Sequence, residues 1–243
     1  MNITRSLGLI LFLVTTPIFS GLDPVFFERL QFWPEVENVQ GLVSLADEGN
    51  QQVLYRVTFD ATWSAATHPE GFPGNPHFSP LIGATHNGLV SFWQTGELAS
   101  DGIETMAETG ATVPLANEIQ AAINLETAGE ELLSSGINSP SSTSFTFQAS
   151  RRFPRVTLVT MIAPSPDWFL GISGYLLFRD GRWLEESLVT LYAYDAGTDS
   201  GTTYTSPNQD TQPPETIFRI NASPFIVNGN LVPLGTYRFE ILE

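Results

Sequence analysis

The chain has 243 residues, with 26 acidic side chains against ten basic ones, all arginine, for a formal net charge of −16. That field disfavours nucleic acid and opposes unaided docking on anionic lipid, so no stable membrane insertion is expected and cations are the natural small partners. Cysteine is absent, which excludes disulfides and a lipid-bearing cysteine, yet a chain of this length can bury a core large enough to fold without staples.

Arg5 precedes an apolar run from Leu7 to Val14 and then small and turn-forming residues ending at Ser20-Gly21. This order predicts a secretory signal peptide over residues 1–21, too short in its apolar centre to span a bilayer. The expected location is secreted, extracellular or periplasmic, and a cysteine-free exported chain suits a bacterial envelope or secretome better than an animal matrix. Residues 22–243 are expected to form a single domain. Its first stretch carries Phe26, Phe27, Phe32 and Trp33, for which edge packing is the default and an exposed aromatic platform the alternative.

From Val53 the residues Tyr55, Val57, Phe59, Ala61 and Trp63 share one face, while Arg56, Thr58, Asp60 and Thr62 share the other, the period-two pattern of a half-buried strand. A Pro- and Gly-rich loop is expected between Thr67 and Pro80, then a strand over Leu89–Trp93. Ser100 is a plausible N-cap for a helix reaching Gly110, and a second short helix is expected over Leu115–Ile123, both as connectors between strands. After a Ser/Pro-rich loop over Asn138–Thr143, strands are expected over Phe145–Ala149, Arg155–Met161, Trp168–Phe178, Trp183–Tyr194 and Thr236–Leu242. Turn signals at Asp180-Gly181 and Asn228-Gly229 make the arrangement antiparallel. The fold class is mainly β, an antiparallel two-sheet β-sandwich with one or two short connector helices.

The stretch richest in chemistry runs from Pro164-Ser165-Pro166-Asp167-Trp168 to Asp195-Ala196-Gly197-Thr198-Asp199-Ser200-Gly201. A two-residue turn at Asp180-Gly181 pairs Arg179 with Arg182 and, followed along both strands, sets Asp167 opposite Tyr194 and beside Asp195. Like charges this close repel. Either a cation neutralises them, and an all-oxygen set with Pro- and Gly-freed carbonyls suits calcium better than magnesium or zinc, or they are solvated aspartates in Asx-turns. The spacing is not that of an EF-hand, since Gly197 and Ser206 stand where ligands belong. His68, His77 and His86 fit no local metal motif and are expected in packing or hydrogen bonding. Gly171-Ile172-Ser173-Gly174 breaks the spacing of a nucleophile elbow. Asn221-Ala222-Ser223 is a glycosylation sequon, meaningful in a eukaryotic secretory pathway.

Several blocks resemble the spondin N-terminal domain family, of the F-spondin and mindin type: Tyr55-Arg56-Val57-Thr58-Phe59, His77-Phe78-Ser79-Pro80-Leu81-Ile82-Gly83, Thr85-His86-Asn87, Met161 to Trp168, and Tyr194 to Gly201. The resemblance spans about Val53 to Ile220. It implies a C2-like sandwich holding calcium at one end, with Asp167, Asp195 and Asp199 at the ligand positions. It further implies a non-enzymatic interaction or adhesion module whose partner is an extracellular protein or glycan. The alternative is a calcium-dependent carbohydrate-active or hydrolytic protein that uses the acidic loop edge. The animal members carry cysteines that this chain lacks, so matrix anchoring and integrin recognition do not carry over.

The leader has a direct test. Mass spectrometry of the exported protein is expected to show a mature start near Gly21 or Leu22, and an intact Met1 in a cytosolic fraction would refute it.

Overall fold

A computed structural model describes residues 51–242, which belong to one compact unit. The expected signal peptide and the aromatic segment Phe26–Trp33 lie outside the described residues. The strands are β1 (Gln52–Ala61), β2 (His77–Phe78), β3 (Ile82–His86), β4 (Ala128–Leu133), β5 (Ile137–Asn138), β6 (Ser141–Ser150), β7 (Arg155–Ala163) and β8 (Trp168–Leu176). They continue with β9 (Phe178–Arg179), β10 (Arg182–Trp183), β11 (Glu186–Leu191), β12 (Tyr194–Asp195), β13 (Phe218–Arg219), β14 (Ile226–Val227), β15 (Asn230–Leu231) and β16 (Gly235–Ile241). Two helices, α1 (Asp101–Thr109) and α2 (Val113–Asn124), sit between β3 and β4.

The first sheet runs β11-β16-β1-β6, antiparallel throughout. In the second, β7 pairs with β8 on one side and with β3 and β2 in tandem on the other, while β12 and β13 extend it beyond β8. Alternation along β1 sends Tyr55, Val57 and Phe59 inward, where they meet Phe147 of β6, Tyr237 and Phe239 of β16, and Val156, Leu158 and Ile162 of β7. Aromatic edges fill this layer: Phe59 lies 5.0 Å from Phe78 and 5.3 Å from Tyr237 between ring centroids. Burying such rings, at about 1.5–3 kcal/mol each, stabilises the fold without any disulfide.

Odd-numbered β7 residues face the other way. Val159, Met161 and Ala163 pack with Ile82, Ala84 and Phe169 against Ile103, Met106, Leu115 and Ile119 of the two helices. The helices are therefore more than connectors, since they form a third layer over the outer face of the second sheet. Ser100 caps α1, accepting a 3.3 Å bond from the Ile103 amide, and Gly110 ends it at φ +71°. Glu118 of α2 completes the cap from outside, with Oε1 accepting the Gly102 amide and Oε2 the Ser100 hydroxyl, both at 2.8 Å. At Gly102 any Cβ would sit 2.7 Å from the Leu115 Cα, so glycine is what allows the helices this close an approach.

Three expectations need correction. Leu89–Trp93 is not a strand: Phe92 and Trp93 tuck into the helix-side core while Leu89 is exposed, so an aromatic-rich run lacks an edge to pair with. The loop expected over Asn138–Thr143 shrinks to a tight turn, because β6 already begins at Ser141. Trp183–Tyr194 is no single strand; β10 pairs with β9, β11 crosses to the first sheet, and β12 returns to the second. Both predicted turns form with positive φ at their two central residues, Asp180 and Gly181, Asn228 and Gly229.

Glu118→Ala strands two donors at the start of α1 and is expected to lower the melting midpoint by about 3–6 °C, from a loss of roughly 1–2 kcal/mol. Glu118→Gln, which keeps an acceptor oxygen, should recover part of it; a change in the alanine variant below about 1 °C would overturn the cap.

Candidate functional site

The acidic edge is built by two loops at one end of the second sheet. The β7–β8 loop, Pro164–Asp167, is drawn tight by Ser165, whose Oγ accepts the Trp168 amide at 3.1 Å and donates to its carbonyl at 3.3 Å. The loop after β12 is pinned to it by the Ala196 amide, 3.2 Å from the Asp167 carbonyl. A second chain segment backs this loop, through Glu215 N–H to the Gly197 carbonyl, Thr211 to Thr198 and Ser200 to Gln209, at 2.8–2.9 Å. Gly197 holds φ +78°, and a Cβ there would stand 2.3 Å from the Glu215 carbonyl oxygen, so glycine is what lets the backing segment pack this close.

Asp167 and Asp195 do come to one end of adjacent strands, although not by the expected register. Tyr194 pairs with Phe169 and Asp195 with Trp168, so Asp195 stands next to Asp167 along the sheet edge. The turn at Asp180-Gly181 cannot set this pairing, because β11 leaves for the other sheet in between. The adjacency foreseen from the hairpin is present, and its cause is different.

The side chains then differ in surroundings. Asp167 is fully buried; its Oδ2 accepts the amides of Thr198 (2.8 Å) and Asp199 (3.1 Å) and the Thr198 hydroxyl (3.3 Å), whereas its Oδ1 is buried with no hydrogen-bond partner. Asp199, also buried, accepts the Gly201 amide at 2.7 Å on Oδ1 and the Gln209 amide at 3.0 Å on Oδ2. Half-buried Asp195 accepts the Gly197 amide at 2.9 Å in an Asx-turn. Among the described residues no group of three His, Cys, Asp or Glu side chains gathers as a metal would require; Asp195 is engaged by the Gly197 amide and the Trp168 side chain, and Asp199 by one amide of its own loop and one of the backing segment. The histidines stay apart from this edge in their bonding: His68 contacts Thr67 and Val232, His86 contacts Asn87 and Thr157, and His77 contacts Asn75.

Burial raises the Asp167 carboxyl above the usual range, and the Asp199 charge adds to it against the stabilising amides. Asp195 is pushed up to about 7 by burial first and by the charge of Asp167 second. Glu108, in the last turn of α1, is raised by burial, with Glu104, Asp167 and Asp199 as like-charged neighbours, so a fourth carboxylate faces the same edge. Local sequence offers one hint of it: a Glu in a helix's last turn opposes the helix dipole, and α1 carries no basic residue there. The feature here that suits a hard cation is the single Asp167 Oδ1, a buried acceptor without a donor, and the neighbouring carboxylate oxygens that take one amide retain a second lone pair.

The sequence matches the Spondin_N family over residues 53–227, a span that contains Asp167, Asp195 and Asp199. Spondin-2 of Rattus norvegicus is 39% identical over 180 residues, covering 70% of this chain and 53% of that protein. Spondin-1 of Gallus gallus is 35% identical over 170 residues, 67% of this chain and 21% of that protein. The chain thus spans about half the length of the first relative and about a fifth of the second.

A raised carboxyl favours the protonated fold, so the stability it contributes is complete below the ordinary pKa of 3.8 and is lost as pH rises through about 7. Asp195→Asn keeps the turn acceptor and cannot ionise. In chelator its stability advantage over wild type is expected to grow between about pH 4 and pH 7, to at most about 4 kcal/mol, and to level off above. A pH-independent difference between the two would contradict the electrostatics described, whatever the histidines contribute to both.

Proposed function

The chain belongs to the Spondin_N family, and from that premise we propose that it is a secreted, extracellular interaction and adhesion module that binds calcium and is not an enzyme. The observation that carries the calcium is the Asp167 Oδ1, an acceptor sealed from water and from every protein donor, beside two more aspartates. An orphaned buried acceptor of this kind costs roughly 1–3 kcal/mol, more when ionised, and the residue lies within the span 53–227 that is similar to the family.

Asp167, Asp195 and Asp199 would hold the ion, with Glu108 at its margin. Calcium supplies positive charge that neutralises the edge and ties the two loops together. The chain's own groups do the rest. The amides of Thr198 and Asp199 fix one Asp167 oxygen and leave the other presented, while Gly197 keeps the backing segment close. The adjacent cavity of about 570 Å³, between β2, β5 and the end of α1, is lined by none of these carboxylates, which favours a structural ion over one that activates a bound substrate. No described helix is long and apolar enough to cross a membrane. The partner proposed is an extracellular protein or glycan.

Extracellular calcium modules bind with dissociation constants of about 10⁻⁴–10⁻³ M, so a tenfold excess of calcium is expected to add roughly 1.4 kcal/mol and raise the melting midpoint by about 3–6 °C. Asp195→Asn should lose most of that shift, and His77→Ala should keep it. Calorimetry giving one midpoint for wild type in chelator and in millimolar calcium, or a full shift in Asp195→Asn, would sink the calcium assignment.

A further inference from the structure

We propose that a groove on the side of the sandwich, where β8 and β11 splay apart, binds a neutral saccharide, which deepens the interaction-module reading and rests on it. Beyond Phe169 no described strand pairs with the outer edge of β8, because the chain that continues from β12 toward β11 crosses to the other sheet. The wedge between them is a cavity of about 500 Å³ floored by Gly171–Ser173, walled by Thr190, Tyr192 and Tyr194 on one side and by Trp93, Gln94 and Thr95 on the other. Tyr175 closes one end through its hydroxyl contact with Ser187.

The lining states the ligand's chemistry. None of the eleven lining residues is charged, and the two arginines that reach lining rings, Arg219 over Tyr192 and Arg179 over Tyr175, are engaged in cation–π contacts, so a neutral ligand is favoured over a strongly charged one. Tyr192 and Tyr194, both partly exposed, give the groove an aromatic wall suited to the C–H face of a sugar ring, and the hydroxyl and amide groups of the lining both donate and accept, as ring hydroxyls require. The walls are rigid: Trp93 meets Tyr194 at 4.9 Å and Phe169 at 5.1 Å, edge to face, and Arg219 covers Tyr192 at 5.6 Å. A preformed site loses little entropy on binding.

An added peptide strand is the competing occupant of an open edge, and β8 is poorly shaped for it. Its register with β7 shifts between Val156 and Leu158, and Gly174 takes φ +58°, so a bulge interrupts the regular row of donors and acceptors that strand addition uses.

Saturation-transfer NMR on the full chain in calcium, with neutral hexasaccharides of β-linked glucose, N-acetylglucosamine and mannose at millimolar concentration, tests this. Transfer to at least one is expected, with Tyr192→Ala and Gln94→Ala each weakening it about tenfold or more. Gln94 is exposed on a loop, so its variant should melt like wild type and keeps the test valid if Tyr192→Ala misfolds. The proposal is overturned by no transfer from any of these sugars, by binding that survives the Gln94 variant and any folded Tyr192 variant, or by binding only of a sulfated hexasaccharide or an extended peptide. A chain that takes up no sugar yet keeps its calcium-dependent melting shift would lose the groove and retain the calcium module.

Discussion

The double burial of β7 is the constraint on which the other elements depend. Along one strand Val156, Leu158 and Ile162 enter the core between the sheets, while Val159, Met161 and Ala163 enter the core under the helices. A strand covered on both faces must place its polar side chains against partners. Thr160 does so by donating to the Ser79 carbonyl at 2.8 Å, and Thr157 by meeting His86 at 2.8 Å and accepting the Gly174 amide at 2.9 Å. Because β2 and β3 share the far edge of β7, the Ser79–Leu81 link between them is held at the strand's middle, with Ser79 also accepting the Met161 amide. The loop that follows Ala163 therefore starts from one of the most tightly held points in the fold, and Asp167 lies on it.

Much of this was legible in the sequence, and the parts that were not have physical causes. Clean alternation in β1 is visible because its two faces differ, one in the core and one toward water. Continuous apolar character in β7 marks a strand without telling which layer covers its second face. The helix from Ser100 to Gly110 was readable from its caps, yet the capping carboxylate of Glu118 was not, since it comes from another helix. Leu89–Trp93 misled for a related reason: aromatic residues report burial, and burial alone does not say that a ladder exists.

At the candidate site the aspartates were legible and their geometry was not. Counting along a presumed hairpin placed Asp167 near Asp195, but the structure reaches that adjacency after β11 has visited the other sheet. Strand exchange between layers is invisible to a count of residues from a turn. Glu108 escaped notice because its helix is remote in sequence and reaches the edge through packing. The same strand exchange opens the groove at Tyr192, so one topological event both aligns Asp195 with Trp168 and leaves the edge of β8 beyond Phe169 without a partner strand among the described residues.

That shared origin has a consequence for how the two sites relate. Tyr194 lines the groove and the next residue, Asp195, belongs to the acidic edge, with alternation along β12 sending their side chains to opposite faces. Tyr194 is braced by Trp93 and Phe169, both core residues, whereas Asp195 is braced by a loop amide and repelled by Asp167. The groove side is thus braced by packing alone, and the acidic side is the one whose energy changes with protonation. Packing on one face and charge strain on the other let this short strand respond to pH at its acidic side while holding the aromatic wall in place.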